Sequence, residues 1–166
     1  MEDPPAAGAI AVLGIGNALR GDDGVGIHAL GALQGRGPFA DHVRFIDGGL
    51  MGLDLLPHLE GAGHILILDA IQADEPPGTI IRIEGRDITA AWQQKLSMHQ
   101  AGVMDLLSML RLRGAQPAHL VVWGIVPSTI DWSLELSEPV LRSLPQLVDS
   151  VAQELRGWGA REGNGG

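Results

Sequence analysis

The chain is 166 residues long, enough for one globular domain that buries roughly two thirds of its unfolded surface without covalent staples. It contains no cysteine, which excludes thiolate nucleophiles, redox-active pairs and sulfur-ligated zinc. A formal charge of −9 argues against nucleic acid and anionic membranes as partners, because both need basic patches.

Residues 1–8 are acidic and rich in Pro and Ala, with no basic stretch ahead of an apolar core, so they read as a flexible terminus rather than a secretory signal. Apolar runs then alternate with segments of helical period. That alternation predicts an α/β fold, one domain over residues 1–166 with a mostly parallel sheet. The first strand is expected at residues 9–13. The loop after it spaces Gly16 and Gly21 as a phosphate-binding turn would, but Asp22 and Asp23 stand where that turn needs Lys and Ser/Thr. Two carboxylates repel a polyphosphate and attract a metal ion or cationic group. Leu19 likewise breaks the dinucleotide-binding Gly-x-Gly-x-x-Gly pattern.

A helix follows at about 24–33, ending at Gly35 and Gly37. The second strand, 43–46, closes on Asp47-Gly48-Gly49, and a helix near 51–60 leads to the third strand, 64–68, which stops at Asp69. Residues 78–84, after Pro76 and Pro77, read as a fourth strand in a hairpin or at an edge. Ser97-Met98-His99-Gln100 has the form of a capping box, with Ser97 as the cap and Gln100 as its partner. Val103, Leu106, Leu107 and Leu110 then make a buried stripe that runs out near Arg111, Arg113 and Gly114. The fifth strand is expected at 119–124, and Pro127 opens a loop carrying Trp132. The last helix is placed from Pro145, with Leu147, Val148, Val151, Leu155 and Trp158 on one face, and residues 159–166 read as a flexible tail. No apolar run approaches the ~20 residues that span a bilayer, so a soluble cytoplasmic protein is expected.

In parallel sheets ligands gather beyond the carboxyl ends of strands, where strand order reverses. Asp23 follows the first strand, Asp69 ends the wholly apolar third, and His99 opens a helix. An aspartate directly after a buried strand loses hydration unless a cation or donor faces it. An imidazole in the first helical turn meets the positive end of the helix dipole, which favours the neutral form that a metal requires. Two carboxylates and an imidazole suit nickel, zinc, iron or manganese. Each residue also has a plainer explanation: helix capping for Asp22 and Asp23, a turn for Asp69, a solvated first turn for His99. Asp47 is intermediate, and His28, His42, His58, His64 and His119 are assigned to structure or surface. The absence of a Gly-x-Ser-x-Gly elbow argues against a serine-hydrolase reading.

Taken together, Gly14-Ile15-Gly16-Asn17 with Gly21-Asp22-Asp23-Gly24-Val25-Gly26, Asp47-Gly48-Gly49, Leu68-Asp69-Ala70, Ser97-Met98-His99-Gln100 and Gly124-Ile125-Val126-Pro127 resemble the nickel-iron hydrogenase maturation endopeptidases. The resemblance runs over residues 9–158. It implies a twisted five-stranded sheet with helices on both faces. It also implies a cytoplasmic protease that removes a C-terminal extension from the hydrogenase large-subunit precursor once nickel is in place. The metal-contacting residues it implies are Asp23, where many members have glutamate, Asp69 and His99. Nickel in the substrate precursor would be the metal, with zinc or cadmium able to replace it in vitro. Two rival expectations use the same ligands: a nickel chaperone or checkpoint that binds the precursor without cutting it, and a metal-dependent hydrolase of small amides.

Overall fold

The computed structural model describes residues 8–49, 52–93 and 98–160, and of Gln93, Met98 and His99 it describes the backbone alone. The expected Ser97 cap, the His99 side chain and residues 161–166 of the expected tail therefore lie outside the described residues. Strands form where β-branched and aliphatic residues run together. They are β1 (Ala9–Ile15), β2 (Val43–Gly49), β3 (Ala62–Ala70), β4 (Ile80–Glu84) and β5 (His119–Ile125). Their order in the single sheet is β2-β1-β3-β5-β4, all parallel except β4, which runs antiparallel to β5 at the edge. A proline-led strand is tolerated there because one side of an edge strand needs no amide donors.

Helices cover both faces. On one, α1 (Val25–Gln34) and α5 (Glu138–Gly157) bring Ala29, Leu30, Leu33, Val148, Val151 and Leu155 against Ile10, Val12, Leu66 and Leu68. On the other, α2 (Leu56–Leu59), α3 (Asp87–Gln93) and α4 (Met98–Leu112) set Leu59, Ile88, Trp92, Val103 and Leu106 against Ala11, Leu13, Ile65 and Ile67. Alternate residues of β1 and β3 thus feed opposite layers, and β1 and residues 65–68 of β3 are apolar because neither face meets water.

Three expectations need correction. The last helix starts at Glu138, not at Pro145, which is an exposed residue inside it. Ser137 and Pro139 already supply a helix start there, and on the solvent side the carbonyl that Pro145 leaves without a donor can be hydrated. The helix expected at 51–60 is cut down to a 3-10 turn, Leu53–Leu55, and the single turn of α2. Helix α3 was not expected, since only Ile88 and Trp92, four residues apart, face the core and give too little periodicity to read.

The order of strands sets the site. From β1 the chain crosses through α1 to β2 on one side, then through α2 to β3 on the other, so strand order reverses between β1 and β3. Gly14 of β1 is level with Leu68 of β3, which brings the loop after β1 alongside Asp69. The start of α1 is pressed onto both strand ends at Gly26, where a Cβ would stand 2.1 Å from the Leu68 carbonyl oxygen and 2.6 Å from that of Ile15. Only glycine allows that approach.

Candidate metal-contacting site at the strand ends

Among the described residues the buried polar or charged side chains are Asp22, Asp69 and Gln100. All three sit at the carboxyl end of the sheet. A buried carboxylate is costly unless donors face it, and each of these acids has them. Asp69 lies within β3, level with Gly124 of β5, and no part of it is exposed to solvent. Its Oδ1 accepts the Ala70 amide at 2.8 Å, and its Oδ2 accepts Nε2 of Gln100 at 2.8 Å. The same Gln100 nitrogen also reaches the Ala70 carbonyl at 3.3 Å. Gln100 therefore fastens the first turn of α4 to the end of β3.

Asp23 approaches from the other loop. It is half-buried, and its Oδ2 accepts the Asn17 amide at 3.0 Å. Gly16 lies between the two acids with φ 117°, a conformation that L side chains rarely adopt. A Cβ on Gly16 would fall 2.0 Å from the Asp23 carbonyl oxygen and 3.8 Å from Oδ1 of Asp69. One glycine thus lets the Asp22-Asp23 turn fold back against the end of β3. His99 is the second residue of α4, directly before Gln100, so its backbone is anchored to Asp69 through its neighbour. Its side chain is outside the described residues. Among the described residues no group of three His, Asp or Glu could hold a metal ion.

Asp22 has a different task. Its Oδ2 accepts the amides of Ser128 and Thr129 at 2.8 and 3.1 Å and the Ser137 hydroxyl at 2.7 Å, while Oδ1 accepts the Ser137 amide at 2.7 Å. Burial by itself would push its carboxyl upward. The donors from Ser137, Ser128 and Thr129 outweigh burial and hold it below the ordinary carboxylate value. Neither acid is the cap residue of the turn Gly21–Gly24 or of α1, where Arg20 and Gly24 hold those positions. Asp22 instead braces the loop before α5, and Asp23 faces the strand ends. Asp47 is level with Gly14 and exposed at the end of β2. An open cleft of about 330 Å³ between α3 and α4, lined by Arg86, Arg111 and Pro117 among others, contains none of these acids.

Residues 27–154 match the HycI family model, described as hydrogenase maturation protease. The chain belongs to the hydrogenase maturation protease family. It is 33% identical over 148 residues to the hydrogenase 2 maturation protease of Escherichia coli K12, covering 89% of this chain and 90% of that one. The solved structure of the E. coli hydrogenase maturating endopeptidase HybD superposes with a TM-score of 0.88 over 92% of this chain and 94% of that one, at 33% identity. The [NiFe] hydrogenase maturation protease HybD of Thermococcus kodakarensis gives 0.74 at 29% identity, over 88% and 97% of the two chains.

In this maturation protease the structure therefore brings Asp23 and Asp69 to one strand end and starts the His99 helix beside them. Gln100 is the residue whose part sequence reasoning missed. Its place three positions after Ser97 invites a capping role, which lies outside the described residues, and its amide nitrogen in addition donates to Asp69. The available signal was a glutamine adjoining a candidate ligand at the start of a helix. His28, at the middle of α1, and the stacked pair His64 and His119 at the amino ends of β3 and β5 stand apart from the acids.

Proposed function

We propose that this peptidase removes the C-terminal extension of the nickel-loaded [NiFe]-hydrogenase large-subunit precursor, with Asp23, Asp69 and His99 contacting the nickel that the precursor carries. The observation that supports this best is Asp69, wholly buried yet held by Gln100 and set across Gly16 from the Asp23 turn. A buried acid oriented by neutral amides is positioned to face a cation brought by the substrate. Nickel is cargo of the substrate in this reading, and it polarises the scissile carbonyl or activates the attacking water. The hydroxyl of Ser137 donates to Asp22 rather than to a histidine, and the chain has no cysteine, which fits hydrolysis without an acyl-enzyme. The working compartment is the cytoplasm, where the precursor is loaded.

Mass spectrometry of the nickel-loaded precursor, before and after incubation with the purified protein, tests the reading. Wild type should shorten the precursor by its C-terminal extension. Asp69→Asn should keep the fold, as read by circular dichroism, and leave the precursor at full length. A precursor bound but never shortened by wild type would favour a checkpoint protein instead, and wild-type cleavage by Asp69→Asn would exclude Asp69 as a nickel contact.

A further inference from the structure

Leu19, Ile130, Trp132 and Leu134 are exposed by 55, 40, 75 and 71%. Single exposed apolar residues are ordinary, but a contiguous group on one surface marks a contact site. These four lie on two loops that are bonded together. The Ser133 amide donates to the Leu19 carbonyl at 2.9 Å, the Gly21 amide donates to Ser133 at 2.8 Å, and Arg20 and Ser133 form a parallel β-bridge. Nε of Arg20 donates to the Ile130 carbonyl at 3.1 Å while its guanidinium lies 5.6 Å from the Trp132 ring centre. Beneath them the buried Asp22 ties down Ser128, Thr129 and Ser137, at both ends of the second loop. Ile130, Trp132 and Leu134 alternate with Asp131, Ser133 and Glu135, and this whole stretch is exposed. Holding large apolar side chains in water contributes nothing to folding, so a loop braced to present them is prepared for a partner.

We propose that this surface docks the folded body of the hydrogenase precursor beside the place where its extension is cut, an inference that rests on the function proposed above. Continuity with the site argues for this occupant. Leu19 and Arg20 run directly into Gly21-Asp22-Asp23, so a substrate whose scissile peptide reaches Asp23 lies over them. Charge argues against a second copy of the chain, because two molecules of −9 repel. The acids Asp131 and Glu135, set between the apolar side chains, fit a partner patch that is apolar with a lysine or arginine rim.

The test is a binding titration of the nickel-loaded precursor against wild type and a Trp132→Ser/Leu134→Ser double variant, with processing followed in parallel. Both side chains are exposed, so the thermal midpoint should not move. If it does, Leu134→Arg replaces the double variant. The expected result is about tenfold weaker binding and a correspondingly higher KM, with kcat retained. Equal binding by wild type and variant overturns docking at this surface. So does a wild-type dimer in sedimentation that the variant loses, which assigns the surface to a second copy. A wild type that binds through this patch but never cuts overturns the proposed proteolysis and leaves the docking surface standing.

Discussion

Asp69 and Gln100 are separated along the chain by strand β4 and helix α3, yet they share a hydrogen bond inside the protein. Losing it should affect both the site and the fold. Gln100→Leu keeps the side-chain volume but removes the donor to Oδ2, taking away one of the groups that orient the Asp69 carboxylate. Groups that orient a metal ligand from behind typically change affinity or activity about 10- to 100-fold when removed. The expectation is a loss of that size in the processing rate, together with a lowered thermal midpoint because a buried carboxylate loses a donor. Processing at the wild-type rate would show that Gln100 does not orient the acid. At this scale the sequence was half legible. An acid directly after Ile65-Leu66-Ile67-Leu68 marked Asp69, because a fully apolar strand announces that its end is buried. Which of the adjacent Asp22 and Asp23 braces a loop and which faces the strand ends depends on residues 128–137, and no local pattern reports on contacts that distant.

Among the elements, the apolar strands β1, β3 and β5 were readable because a buried parallel strand leaves an unbroken aliphatic run. The start of helix α5 is not legible from Pro145, because an exposed helical face tolerates a proline that otherwise reads as a boundary. Helix α3 left too short a pattern to register. The placement of α1 has the largest consequence for the site, since its first turn continues from Asp23 and rests on the ends of β1 and β3 at Gly26. Gly26→Ala puts a methyl group into the Leu68 carbonyl, a backbone atom that cannot step aside. Overpacking of this kind costs about 1–3 kcal/mol. The variant should show a lowered denaturation midpoint and, because α1 is displaced from the strand ends, reduced processing even where the protein remains folded. A variant with wild-type stability would mean that α1 sits farther from the sheet than described.

Over the whole molecule, the reversal of strand order between β1 and β3 gathers the polar chemistry at one end of the sheet. The pinned loops with Trp132 adjoin that end. No helix among the described residues is long and apolar enough to cross a membrane. Sequence patterns reached the α/β class and the position of the acids, since both follow from apolar runs and the residues that end them. The brace from Asp22 and the apolar surface it supports appear only when the loops are folded together. These parts give one account, in which acids at the strand ends recognise the metal that a protein substrate carries. The most direct test is to incubate one purified precursor, nickel-loaded and nickel-free, with the protein and to compare their masses. The account predicts that only the loaded precursor is shortened, and equal shortening of both would contradict it.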